Sequence, residues 1–143
     1  MSEIPDLFRS LNRARVRYLL IGGLASVLHG APRTTLDVDL LLPAGKENLR
    51  RALPALRRLG LVPDIDDPDE ILGVGGVSLT NDLQVDLLTD LPREAFQDLW
   101  GRREIVRYGQ VRVSMISRRD QIRLLRRAGR ARDLEDADLL EDI

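Results

Sequence analysis

The chain has 143 residues, the size of one domain and too short for two independent cores. Its 43% hydrophobic and 31% charged residues exclude a disordered chain, and the absence of cysteine excludes disulfides, thiolate zinc sites and thiol nucleophiles. The net charge of −1 is unevenly spread: residues 1–90 carry 10 basic and 13 acidic groups, and residues 91–143 carry 12 and 10.

The spacing of Leu7, Phe8, Leu11 and Ala14 predicts a first helix over residues 5–17. Tyr18-Leu19-Leu20-Ile21 reads as a short strand stopped by Gly22-Gly23, and residues 24–29 as a short helix closed by Gly30 and Pro32. Residues 36–42 form a strand ended by Pro43. Residues 46–59 form an amphipathic helix with Leu49, Leu53, Leu56 and Leu59 on one stripe, Gly60 as its stop, and a kink or break expected at Pro54. The acidic segment 63–70 reads as a loop, followed by strands over 71–80 and 83–89 joined by an Asn81-Asp82 turn. A helix over 92–100 and a hairpin of 104–108 with 110–113 around Gly109 come next. Ser117 opens a helix, with Asp120 three residues on as a partial capping box, and a last helix covers 132–141. The irregular alternation predicts the α/β (α+β) class: a mixed β-sheet with flanking helices, one domain over 1–143 with C-terminal helices 117–142 packed on it. No apolar run approaches the ~20 residues that span a bilayer. The opening Met-Ser-Glu-Ile-Pro-Asp lacks the layout of a signal peptide, so a cytoplasmic location is expected.

The chemistry is concentrated in Ile21-Gly22-Gly23 and in Asp37-Val38-Asp39, which begins fourteen residues after Gly23. Strand alternation puts Asp37 and Asp39 on one face and Val38 and Leu40 on the other. Asp86 is a lone acid in a second apolar strand, Leu83-Gln84-Val85-Asp86-Leu87-Leu88. Unpaired carboxylates in such company are expensive to keep ionised. A divalent cation resolves this, and hard oxygen ligands suit Mg²⁺ or Mn²⁺. Three strand-borne aspartates are what a two-metal site needs to hold ions about 3.5–4 Å apart. Gly22-Gly23 leads into a helix whose free N–H groups and positive dipole end attract anions. Ser26 in the first turn adds a hydroxyl, and Arg33 adds a bidentate phosphate donor. The competing reading places Asp37 and Asp39 on a solvated face paired with arginines, against which stand Leu36, Leu40, Leu41 and Leu42.

His29, the only histidine, reads as a helix-end residue. Thr34 and Thr35 are either strand-entry residues or groups that orient Arg33 or Asp37. Arg119, Arg123, Arg126, Arg127 and Arg130 share one helix face. They form either a basic stripe for a triphosphate or RNA, or a face neutralised by the acidic tail Asp133, Glu135, Asp136, Asp138, Glu141 and Asp142; the nearby countercharge favours the second. Aromatic residues, at 3%, are too few for a base-stacking platform, and Phe96 and Trp100 read as core.

Leu20-Ile21-Gly22-Gly23, His29-Gly30 and Arg33-Thr34-Thr35-Leu36-Asp37-Val38-Asp39-Leu40 together resemble the active-site signature of the nucleotidyltransferase (DNA polymerase β-like) superfamily. The similarity is closest to the minimal nucleotidyltransferases, including AbiE-type toxin components and the antitoxins paired with HEPN ribonucleases. Gly129-Arg130-Ala131-Arg132-Asp133-Leu134-Glu135-Asp136 is similar to a Gly-Arg-x-x-Asp-x-x-Asp element in many such proteins, although Leu125-Arg126 stands where many relatives carry a lysine. The strong motif covers residues 20–42. The resemblance implies that Asp37 and Asp39 bind the metals, that Asp86 binds one metal and helps activate the acceptor, and that Gly22 and Gly23 hold the nucleoside triphosphate. The implied activity is Mg²⁺-dependent transfer of a nucleoside monophosphate from a triphosphate such as ATP to a hydroxyl of a protein, tRNA or small molecule. The implied setting is a toxin–antitoxin pair, with a cognate toxin or antitoxin as partner and no membrane. The alternative is an antitoxin-like partner-binding module with weak or lost transferase activity.

Overall fold

Strand β2 (Asp37–Leu41) lies in the middle of a seven-stranded mixed sheet because its apolar residues are buried on both sides of the chain direction: Val38, Leu40 and Leu41 are all nearly inaccessible. The computed structural model describes residues 3–143, so the first two residues of the expected domain lie outside the described part. In chain order the elements begin with α1 (Ile4–Arg13), β1 (Leu19–Ile21), α2 (Gly22–His29), β2 and α3 (Lys46–Arg57). They continue with β3 (Val62–Pro63), α4 (Pro68–Val74), β4 (Gly76–Thr80), β5 (Gln84–Leu88) and α5 (Phe96–Gly101). The hairpin β6 (Glu104–Tyr108) and β7 (Val111–Met115) precedes α6 (Arg118–Ala128) and α7 (Ala131–Glu141). The sheet order is β3-β4-β5-β2-β1-β7-β6, with β2 parallel to β5, β1 parallel to β7 and the remaining neighbours antiparallel. The expected mixed sheet with flanking helices is thus what forms. No described helix is long and apolar enough to cross a membrane.

Four expectations need correction. The first helix ends at Arg13, because Arg15 turns to φ +57° and the Val16 N–H returns to the Leu11 carbonyl. Pro54 does not break α3, which runs on to Arg57; the proline lies on the exposed face of the helix. Residues 68–74 form a helix instead of loop and strand. Asp67 caps it by accepting from the Glu70 N–H at 3.1 Å, Pro68 fits its first turn, and Gly75 closes it at φ +92°. The helix expected over 92–100 is confined to α5, because Arg93 takes φ +67° and holds residues 92–95 in a turn.

The main core joins Leu7, Phe8 and Leu11 of α1 and Leu49, Leu53 and Leu56 of α3 to the sheet. Helices α6 and α7 meet over a separate small cluster of Leu125, Ala137 and Leu140. The entry to β1 is pinned by one buried polar side chain. Asn48 of α3 accepts the Arg17 N–H at 2.8 Å and donates to the Arg17 carbonyl at 2.8 Å, doing for residue 17 what a neighbouring strand would do. Asn48→Ala leaves both groups unpaired and is expected to lower stability by roughly 1–3 kcal/mol in urea unfolding. An unchanged midpoint would show that Arg17 does not depend on it.

Candidate active site

The parallel register of β2 and β5 sets Asp39 directly beside Asp86, and Asp37 beside Gln84. Burial pushes Asp39 up from 3.8 to about 6; the neighbouring Asp86 and Asp37 carboxylates push the same way, and Arg130 pulls weakly against them. Asp86 is held from both sides, with Ser78 Oγ of β4 donating to Oδ1 and Gln84 Nε2 donating to Oδ2 at 3.3 Å. Asp37 is exposed at the start of β2, and its N–H donates to Thr35 Oγ1 at 3.1 Å.

The two glycines face these groups from the turn between β1 and α2. Gly22 sits at φ +72°, and a Cβ there would lie 2.2 Å from Asp39 Oδ2. A Cβ on Gly23 would lie 2.6 Å from Arg33 Nη2. One glycine therefore makes room for the carboxylate and the next for the guanidinium, and the first N–H groups of α2 have no side-chain cap. Arg33 reaches Asp136 of α7 at 3.4 Å through Nη2, while its Nε is buried without a protein partner. The structure thus gathers Gly22, Gly23, Arg33, Asp39 and Asp86, with Asp37 on the rim.

Ser26 is elsewhere. It is fully buried, and its Oγ accepts from Gln121 Nε2 of α6 at 3.0 Å, so it does not face this turn as a free hydroxyl. Gln121 also donates to the Gly22 carbonyl at 2.9 Å and so braces the turn from behind. His29 contacts the Ile116 carbonyl through Nε2 at 2.9 Å, a helix-end role. The arginine face of α6 is paired: Arg123 with Glu94 and Asp120, Arg126 with Asp138 and Glu141, Arg127 with Glu94. Only part of that countercharge comes from the tail; Glu94 and Asp120 supply the rest. Arg123 and Arg126, with Arg102 and Arg119, rim a cavity of about 780 Å³ whose lining includes none of Asp37, Asp39 and Asp86.

On the side of Asp39 and Asp86 away from the arginines, a cavity of about 390 Å³ opens over β4, lined by those two residues with Asp64, Ser78 and the Gly75-Gly76 backbone. Gln121, Ser78 and Asp64 were not singled out from sequence. Ser78 was within reach, since a hairpin register of Thr80 with Gln84 puts it opposite Asp86.

The lincosamide antibiotic adenylyltransferase LnuA, in its lincomycin-bound crystal structure, superposes with a TM-score of 0.66 at 20% identity, over 97% of this chain and 96% of that one. The antibiotic-resistance factor ANT(2'')-Ia gives a TM-score of 0.68 at 14% identity, over 96% of this chain and 80% of that one. A Thermotoga maritima protein assigned to the nucleotidyltransferases gives 0.65 at 15%, over 95% and 86%. The chain has the nucleotidyltransferase fold. No family model and no curated protein sequence matches it.

Within this nucleotidyltransferase fold the donor set suits a hard cation: it is all carboxylate, and its two members in contact repel each other when ionised. Among the described residues, no three His, Cys, Asp or Glu side chains are closed to ligand distance around one point. The meeting pair is Asp39 with Asp86, and Asp37 stands two residues along the same strand face.

The raised Asp39 value has a consequence for stability. Between about pH 4 and 6 the folded chain holds a proton on Asp39 that the unfolded chain has released, so the Asp39 contribution to stability falls as pH rises through this window. Asp39→Asn removes the repulsion and is expected to raise the melting temperature by roughly 2–5 °C at pH 7.5. The gain should shrink toward zero near pH 4, where the wild-type carboxyl is itself neutral. Melting curves of the metal-free proteins at both pH values check this.

Proposed function

We propose that the chain is a metal-dependent nucleotidyltransferase that moves a nucleoside monophosphate from a triphosphate to a hydroxyl of an acceptor and releases pyrophosphate. The observation that carries this is the meeting of Asp39 and Asp86 against a glycine turn that also seats Arg33. A cradle of N–H groups and guanidinium beside paired carboxylates is an arrangement for polyphosphate chemistry.

In this reading the triphosphate lies along the Gly22-Gly23 turn, held by the N–H groups at the start of α2 and by the Arg33 guanidinium beside Gly23. The acceptor oxygen attacks the α-phosphorus from the cavity over β4, the bond from the α-phosphorus to the bridging oxygen breaks, and pyrophosphate leaves. Asp86 faces that cavity and takes the proton of the attacking hydroxyl, with Ser78 and Gln84 fixing its two oxygens. Asp37, Asp39 and Asp86 would hold Mg²⁺ or Mn²⁺. When bound, the metal offsets the charge on the phosphates and favours ionisation of the hydroxyl. Gly22 keeps the turn close to Asp39, and Gln121 keeps it from shifting.

The acceptor cavity is acidic, with Asp39, Asp64 and Asp86 on its walls. This lining suits a small molecule or a protein side chain and opposes the phosphodiester end of a tRNA. Both LnuA and ANT(2'')-Ia are named for antibiotics, which supports the small-molecule acceptor. In a toxin–antitoxin setting the acceptor would be a hydroxyl side chain of the cognate protein.

Incubation with each α-³²P nucleoside triphosphate and Mg²⁺, followed by separation of protein, RNA and small molecules from a host lysate, tests the activity and its acceptor together. Label is expected in one fraction and lost on chelation of the metal. In Asp39→Asn and Asp86→Asn the rate should fall by roughly a hundredfold or more. Undiminished label transfer by Asp39→Asn would overturn the assignment.

A further inference from the structure

We infer that Asp133 and Asp136 of α7 are positioning residues, which hold Arg130 and Arg33 against the triphosphate of the reaction proposed above, and the inference rests on that reading. The two acids stand three residues apart on one face of α7 and are nearly inaccessible, at 6% and 4% exposure. Carboxylates this buried need partners. Each takes an arginine from the border of the glycine turn. Asp133 accepts from Arg130 Nε at 2.6 Å and from Nη2 at 3.3 Å. Asp136 pairs with Arg33 Nη2 at 3.4 Å.

The seam of the helix pair itself is formed by Leu125, Ala137 and Leu140 and by the Arg126 pairs with Asp138 and Glu141, apart from these two ions. What the ions do is aim two cations. Arg33 is laid against Gly23 at a distance only glycine permits. Arg130 lies close enough to Asp39 to act on its charge, yet its side chain is 81% exposed. A guanidinium carries five N–H donors, and the aspartates occupy two on Arg130 and one on Arg33. The exposed Arg130 keeps donors for a ligand, and Arg33 beside Gly23 stands on the β1 side of Asp39 while the acidic cavity lies on the β4 side. A chain of phosphate oxygens is the ligand that uses several such donors at once. The Gly-Arg-x-x-Asp-x-x-Asp spacing acquires a reason: it ends α6 at Gly129, presents Arg130 at the corner, and turns both acids inward on α7.

The test is equilibrium binding of ATP and AMP to the full chain with Mg²⁺ (and of any triphosphate preferred in the transfer assay, with its monophosphate), alongside melting curves. Asp136→Asn and Asp133→Asn are expected to weaken triphosphate binding roughly tenfold or more, while monophosphate binding stays within about twofold. Because Asp136 acts through Arg33, the double variant Asp136→Asn/Arg33→Gln should bind triphosphate no worse than Arg33→Gln alone. Equal losses for triphosphate and monophosphate, or additive losses in the double variant, would overturn the inference in favour of a purely structural role. Should the Asn variants fail to fold, Arg33→Gln and Arg130→Gln provide the same triphosphate-to-monophosphate comparison, and an unmoved ratio in both would overturn it. A wild-type chain that binds no triphosphate and labels no acceptor defeats the nucleotidyltransferase reading itself. A wild-type chain that does both, with unmoved ratios in the variants, defeats only the role of α7.

Discussion

Two carboxylates are pressed together at the centre of this molecule, and the surrounding structure can be understood as what is needed to keep them there. Asp39 and Asp86 sit in register on parallel strands whose alternate residues, Val38, Leu40, Val85 and Leu87, are locked into the core. Sliding either strand by one residue would separate the acids, but it would also turn that strand's two buried side chains away from the core. Hydrophobic burial thus enforces an electrostatic arrangement that the acids alone would reject. The raised Asp39 value is the trace of that conflict. Such a pair costs stability where Asp39 is ionised.

Charge is sorted around this pair. Arg33 and Arg130 lie on the side of the glycine turn, and Asp64 lies across the cavity on the other. A reaction that joins a polyanion to a neutral or cationic acceptor needs such a division, because each reactant is drawn to its own side of the carboxylates. Arg123, Arg126 and Arg127 of α6 take no part in this sorting; Glu94, Asp120, Asp138 and Glu141 neutralise them locally.

Much of the site was readable in the sequence because Gly22, Gly23, Arg33, Asp37 and Asp39 lie within eighteen residues and the strands obey simple periodicities. Strand alternation put Asp37 and Asp39 on one face, and an acid between apolar neighbours marked Asp86. What could not be read locally depended on distant partners. Ser26 looks like a first-turn hydroxyl until Gln121, ninety-five residues on, claims it. Helix α4 was missed because Ile71, Leu72 and Val74 suit a strand as well as a helix; the decision rests on Asp67, Pro68 and Gly75 at its ends. Pro54 was overrated as a breaker because a proline on the wet face of a helix gives up one backbone bond and little else. The C-terminal motif was visible as a pattern, but its two acids acquired a purpose only once Arg33, a hundred residues earlier, was found beside Asp136.

The separate small cluster beneath α6 and α7 sets how this protein breathes. Three residues make up the buried part of that cluster, and polar links through Gln121 and Asp136 tie the helix pair to the β1–α2 turn. A unit with so little apolar surface of its own opens at a lower free energy than the sheet, so its amides exchange with solvent before those of β2 and β5. A ligand that bridges the turn and the corner at Arg130 binds only the closed form, and its binding free energy adds to the work of opening. Occupancy by such a ligand would therefore be recorded in the slow-exchange behaviour of α7, a helix with no residue in the Asp39–Asp86 pair.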